Sequence, residues 1–422
     1  MELPGAPPDA PASAPIRHPL RAALALFVAL LLIVGLLSAG YKGRDRSAAE
    51  GTTVADIFRQ TQSLRELTLL DPITPEYLTS DELAEAVRRE AQETPVNGLP
   101  GELLLSALDI VPEGADLQRQ LEDASAAAVI GFYDPETGRL VVESRGRQDL
   151  TPLSKVTLAH ELTHAITDQH FDLSSVVAGD EPADEFLARL ALVEGDATLV
   201  MQLWGAEHLS VGDGVSLGLE GGVGALEGAP SGPGLSPVIS EVQTMPYLDG
   251  LSFVQALHDE GGWAAVNEAY ANPPLTTEQV LHPDKYQSRE LGEAVPPPEP
   301  AAEGTRVVSG DLGELFLRAW LSGGGGALIP GFGSGRDAAE GWDGAAYTVW
   351  VDTHGLNVAM DTRWDSQADA REFESAVIDW FGDHFGPVRR DGDRRVSGAH
   401  CLGLTRAGTS VAFELNESGC RR

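Results

Sequence analysis

Histidines at positions 160 and 164 bracket a glutamate in the run His160-Glu161-Leu162-Thr163-His164. Residues four apart on a helix share one face, roughly 6 Å from each other, so both imidazoles can turn toward a single metal ion. Glu161 lies about 100° further round the same helix and can reach water at that metal without ligating it. This H-E-x-x-H spacing is that of zinc-dependent hydrolysis. The neighbours Leu158, Ala159, Leu162 and Ala165 are apolar, which puts three ionisable groups on a buried helix. Without a cation, that burial is costly.

A catalytic zinc takes three protein ligands and keeps one position for water. Two residues offer the third. Glu194 lies in Leu192-Val193-Glu194-Gly195-Asp196-Ala197, with Leu187, Leu190, Ala197 and Met201 on its side of the helix. His170 is ten residues after His160, the offset of the third histidine in H-E-x-x-H-x-x-G-x-x-H proteases. That geometry turns on a glycine, and this chain has Thr167 in its place. His170 would otherwise cap the end of the helix, where the dipole favours it. Asp168 and Asp196 are candidates to orient the histidines, Asp196 alternatively pairing with Arg189. Tyr247, His282 and Tyr286 are candidate donors for a developing oxyanion.

Thr151-Pro152 offers a cap residue and a proline at the first helical position, where its missing N–H is no loss, so the motif helix is expected from there to about residue 169. Further helices are expected over 184–204 and 247–270, and a capped one from Ser80. Residues 127–133 and 139–143 read as a β-hairpin across Asp134-Pro135-Glu136-Thr137-Gly138. Residues 43–60 read as a linker or a first helical turn, and 211–236 as a glycine-rich mobile loop. Pro296-Pro297-Pro298 marks a linker. After it, strands over 346–351, 356–362 and 410–415 with a helix over 366–385 give an α+β pattern.

Residues 22–39 carry no charge and are long enough to span a bilayer. A tail (1–21) and a transmembrane or signal-anchor helix (22–41) are therefore expected, with the remainder exoplasmic. Cleavage after Ser38-Ala39-Gly40 would make the protein secreted instead. With 64 acidic against 29 basic residues and a net charge of −35, the chain lacks the basic footprint of a nucleic-acid binder. Its 42% hydrophobic content is enough for a core and excludes wholesale disorder. Cys401 and Cys420 could close a disulfide in an oxidising compartment or remain two buried thiols.

At His160, Glu161, His164 and Glu194 the chain resembles the gluzincin-type zinc metallopeptidases. More narrowly, it is similar to uncharacterised secreted or membrane-anchored bacterial proteins of metallopeptidase type. The likeness is carried by GFYDPETGRL, LAHELTHAITDQHFDL, LVEGDAT and GGWAAVNEAYANPPLTTEQVLHPDKY, with a fainter echo in GWDGAAYTVW and RWDSQADAREF. Where familiar zincins have an aspartate four residues after the glutamate ligand, this chain has Thr198. The resemblance implies a zincin-like helical core with a short β-hairpin (42–295) and a C-terminal α+β module (296–422). It also implies Zn2+ on His160, His164 and Glu194, and Glu161 as general base acting on a protein or peptide substrate. The alternative is a catalytically inactive, zinc-containing binding protein of the cell envelope.

Overall fold

The computed structural model describes residues 53–92, 101–144, 150–179, 181–210, 212–213, 235–300, 304–323, 334–353 and 355–416. The expected membrane segment (22–41) and most of the glycine-rich loop lie outside them. No helix among the described residues is long and apolar enough to cross a membrane.

The stretch read as a linker or first turn carries a three-turn helix, α1 (Val54–Arg65), started by a capping box between Thr53 and Asp56. Strand β1 (Glu76–Leu78) precedes α2 (Ser80–Gln92), whose cap is Thr79: it exchanges hydrogen bonds with Glu82, at 2.9 and 3.4 Å. Two shorter helices follow, α3 (Glu102–Ala107) and α4 (Leu117–Ala128). Helix α4 takes the first residues of the expected 127–133 strand, because Ala126-Ala127-Ala128 is strongly helix-forming. The hairpin is therefore shorter, β2 (Gly131–Asp134) and β3 (Arg139–Glu143), closed by Gly138 N–H donating to the Asp134 carbonyl at 2.8 Å. Strand β1 pairs parallel with β3, in the order β1-β3-β2, which leaves β2 at the edge.

The central helices are α5 (Pro152–Phe171), the single turn α6 (Leu173–Val176), α7 (Ala183–His208) and α8 (Pro237–Ala271). Thr151 and Ser236 cap α5 and α8 in the same way, each ahead of a proline and accepting an N–H three residues on. Helix α8 thus begins ten residues before the expected 247, and breaks at Gly261 and Gly262, where Gly262 has φ 63°. Helices α9 (Thr277–Leu281) and α10 (Pro283–Ser288) lead out of this layer.

The rest of the chain builds a seven-stranded antiparallel sheet. Its elements are β4 (Thr305–Asp311), α11 (Glu314–Ser322), α12 (Ser334–Ala339), β5 (Trp342–Asp352), β6 (Gly355–Trp364) and α13 (Gln367–Phe385). Strands β7 (Arg389–Asp391), β8 (Arg394–Ser397), β9 (His400–Ala407) and β10 (Ser410–Asn416) complete it, in the order β4-β5-β6-β10-β9-β8-β7. Cys401, buried on β9, is disulfide-bonded, and Cys420, the other cysteine of the chain, lies outside the described residues. The molecule is thus a mixed α+β protein.

Apolar packing runs across the expected division near Pro296. Leu104 and Leu105 of α3, Leu117 and Leu121 of α4 and Ile239 of α8 share one apolar cluster with Phe373, Val377 and Phe381 of α13 and Val349 of β5. Asp184, at the start of α7, accepts from the Thr277 N–H at 3.0 Å and from its hydroxyl, and that hydroxyl accepts from Leu315 N–H of α11 at 3.2 Å.

Helices α7 and α8 cross with backbones almost touching. A methyl group on Gly195 would sit 2.2 Å from the Gly250 carbonyl oxygen, and one on Gly250 would sit 2.4 Å from that of Ala191. Gly250→Ala is therefore expected to destabilise the protein by about 1–3 kcal/mol through overpacking, read as a lower urea midpoint at unchanged slope.

Burial pushes the Asp184 carboxyl up to about 7, against the Thr277 hydrogen bonds, with Asp311 and Glu314 adding to the rise. Because its folded pKa exceeds its unfolded one, the native state binds the extra proton between pH ~4 and ~7, and stability falls as pH rises through that window. Asp184→Asn is expected to remove up to about 1.4 kcal/mol per pH unit from that slope in melts recorded from pH 4 to 8.

Candidate metal centre

Helix α5 is buried from Val156 to Thr167, and α7 is buried without interruption from Leu190 to Met201. Such all-round burial belongs to interior helices, and polar groups on them must find partners inside the protein. Where the two helices meet, His160, His164 and Glu194 converge, each no more than 1% exposed. The Nε2 atoms of His160 and His164 are 2.9 Å apart. One Glu194 oxygen lies 3.2 Å from the first and 3.5 Å from the second. A tetrahedral zinc with bonds of about 2.0–2.1 Å needs ligand atoms roughly 3.3 Å apart, and these three separations straddle that value.

The electrostatics favour a cation. Burial and the neighbouring His164 push His160 down to about 4, so at neutral pH its ring is uncharged and offers a lone pair. For His164, burial is outweighed by the charges of Glu194, Glu161 and Asp196, which raise it. Burial would likewise raise Glu194, but the two imidazoles hold it below the usual carboxylate range. A proton shared by the two nitrogens would serve that pair alone. A divalent ion at the centre of the triangle would engage all three groups. The second Glu194 oxygen and His164 Nδ1 have no hydrogen-bond partner among the described residues.

Glu161 stands beside this triangle without joining it. It is fully buried, no side chain among the described residues hydrogen-bonds its carboxylate, and the Tyr133 backbone is the hydrogen-bonding group that lies against it. Burial pushes its carboxyl up to about 8; Glu194 adds to the rise, while His164 and the nearby Tyr133 backbone oppose it. Strand β2 covers this face of α5: a methyl group on Gly131 would lie 3.5 Å from the Glu161 side chain.

The surrounding candidates fall on different sides of this geometry. Tyr247 is at the site, its ring stacked 6.4 Å from that of His160 and its phenol bonded to Glu194. His170 is not: its Nε2 meets the Thr68 carbonyl at 2.9 Å, so the helix runs straight on where a third-histidine ligand would need a turn. His282 pairs with Glu314 at 3.0 Å, and the Tyr286 hydroxyl donates to the Asn272 carbonyl at 2.8 Å; neither approaches the histidines. Asp168 accepts from the Tyr133 hydroxyl at 2.8 Å and anchors β2 to α5 without bonding either ligand. Asp196 does not pair with Arg189, which binds Glu181 and Glu185; its partners are Arg65 and Tyr270. Thr198 does not take the place of the missing aspartate, since its hydroxyl has no partner among the described residues; the Ala197 backbone supports His160 instead.

One other group of acids converges among the described residues, Glu278, Glu290 and Asp365. An amine already fills it: Lys285 Nζ lies 2.6, 2.8 and 2.7 Å from the three.

Residues 301–418 match a family model described as a domain of unknown function, DUF8575. The match covers the sheet module and leaves α5 and α7 outside it. No curated protein and no solved structure matches the chain. The reading of the centre therefore rests on its chemistry. Wild-type protein is expected to bind one zinc per chain. Glu194→Ala should weaken binding by more than the roughly 10–100-fold typical of losing a supporting contact, and His170→Ala should leave it unchanged, by chelator competition.

Proposed function

We propose that this protein is a zinc-dependent endopeptidase of gluzincin type, built on a zincin-like helical core. The observation that carries the reading is the pairing of a three-ligand buried triangle with a carboxyl group beside it that is not part of the triangle and is bonded to no side chain among the described residues. Closed structural zinc sites use four protein ligands, whereas three ligands with a neighbouring Glu is the hydrolytic arrangement. His160, His164 and Glu194 would hold the ion. Bound zinc supplies Lewis acidity, which acidifies water and polarises a carbonyl oxygen.

Glu161 would take the proton from the attacking water and return it to the departing amine, the role open to a carboxylate that stands beside the three ligand groups without being one of them. Tyr247 lies where its hydroxyl can donate to charge developing on the carbonyl oxygen. The apolar 22–41 segment would hold the enzyme at the membrane, or be removed to release it.

One observation favours a second reading, a zinc-containing binding protein of the cell envelope without activity: all four side chains are shut off from solvent. Glu161→Gln separates the two. On the enzymatic reading it retains zinc while peptide-library cleavage falls by on the order of 10²–10⁴. Zinc-loaded wild type that cuts no peptide supports the binding protein, and undiminished cleavage by the variant removes Glu161 as the base.

A further inference from the structure

Strand β2 follows α5 closely enough to bear on the one acid of the site that is not a ligand. Thr157, Glu161 and Asp168 are spaced four and seven residues apart, so they line a single face of that helix. The strand meets this face at all three. A methyl group on Gly131 would stand 3.1 Å from Thr157 Cγ2 and 3.5 Å from Glu161 Cγ. Gly131 lies inside the strand, where no turn calls for it, and a glycine so placed marks the close approach of another element. The Tyr133 backbone faces the Glu161 carboxylate, which can only accept, so the N–H is the group it meets. The Tyr133 hydroxyl reaches further along the helix and donates to Asp168 Oδ2 at 2.8 Å. Asp168 is itself fixed: its Oδ1 accepts from Leu173 N–H at 3.0 Å, and its carbonyl accepts from Asp172 N–H at 2.8 Å. Pairing with β3 and the turn at Gly138 already form the hairpin. The bond from Tyr133 to Asp168 instead fixes where the hairpin sits along α5.

We propose that Tyr133 is a positioning residue for Glu161: its hydroxyl, held by Asp168, keeps the β2 backbone against the Glu161 carboxylate and so sets where that carboxylate stands beside the three ligand groups. A glutamate side chain is flexible, and a general base has to be within hydrogen-bond reach of the proton it takes. Asp168, which touches neither histidine ligand, thereby acts on the site through the strand. This inference rests on the hydrolytic reading above.

Full-length wild type, Tyr133→Phe, Asp168→Ala and the double variant Y133F/D168A are compared in four measurements. These are kcat and KM on a peptide that wild type cleaves, zinc affinity by chelator competition, urea stability, and hydrogen exchange of residues 131–134 in the apo form. Y133F keeps the ring and loses only the hydroxyl. It is expected to lower kcat by roughly 10–100-fold, with KM and zinc affinity within about twofold of wild type. Exchange in 131–134 should quicken by about tenfold relative to β3, as local opening of the strand requires. Because hydroxyl and carboxylate form one clamp, the double variant should lose no more kcat than the worse single variant. A bond that serves the fold alone would lower the urea midpoint and leave both kcat and the exchange contrast unchanged. Wild-type kcat in Y133F, unchanged exchange in 131–134, or a loss of zinc affinity that matches the loss of kcat overturns the proposal; if Y133F does not fold, D168A is read by the same criteria. Zinc-loaded wild type that cuts no peptide overturns the hydrolytic reading and this inference with it, whereas full activity in Y133F overturns this inference alone.

Discussion

The structure turns on two helices that bring ionisable side chains into the buried interior. His160, His164, Glu161 and Glu194 are each at most 1% exposed, and imidazole and carboxylate groups in such a place must neutralise one another or share an ion. Their convergence demands that α5 and α7 be held in one register. Part of that is done by glycine: Gly195, next to Glu194, and Gly250 on α8 let two backbones meet where any side chain would push them apart. The placement of Glu194 is thus decided as much by α8 as by α7.

The sheet module is tied to this helical layer more closely than a linker would allow. Glu293 N–H donates to the Asp343 backbone, and Gly292 packs edge-on against Trp342, so the chain ahead of the prolines already lies along β5. Helices α3 and α4, more than 170 residues earlier, fill the same core as α13. The region matched by the family model, 301–418, is therefore completed by segments that lie outside the match. Arg318 of α11, held between Glu241 at 3.1 Å and Asp249 at 2.7 Å, joins the module to α8 by buried charge as well.

Local signals were legible in the sequence, and long-range ones were not. The two histidines and Glu161 follow from spacing alone, and Glu194 from being a lone acid on an apolar helix face. Thr151-Pro152 marked the start of α5, and the same Ser236-Pro237 signal at the head of α8 was obscured by the glycine-rich run before it. Arg65 carries no local mark: its partner is 131 residues away, and an arginine closing an amphipathic helix is ordinarily solvated. His282 and Tyr286 illustrate the converse. Both have the right chemistry, yet the turn at α9 and α10 commits them to Glu314 and Asn272.

The position of Glu161 weighs most in choosing between catalysis and a purely structural ion. A helix that only needed to grip a metal would be more stable with an apolar residue there, since burying a carboxyl costs about 1–3 kcal/mol or more where its lost hydration is not fully replaced. The protein keeps it within the field of Glu194 and against strand β2, beside Gly131 and the Tyr133 backbone. Sites that tolerate such a buried acid commonly use it to move protons. On the proposed reading, one constraint, burial at the crossing of α5 and α7, accounts both for the fit of the ligand triangle to a cation and for the raised proton affinity of the residue next to it.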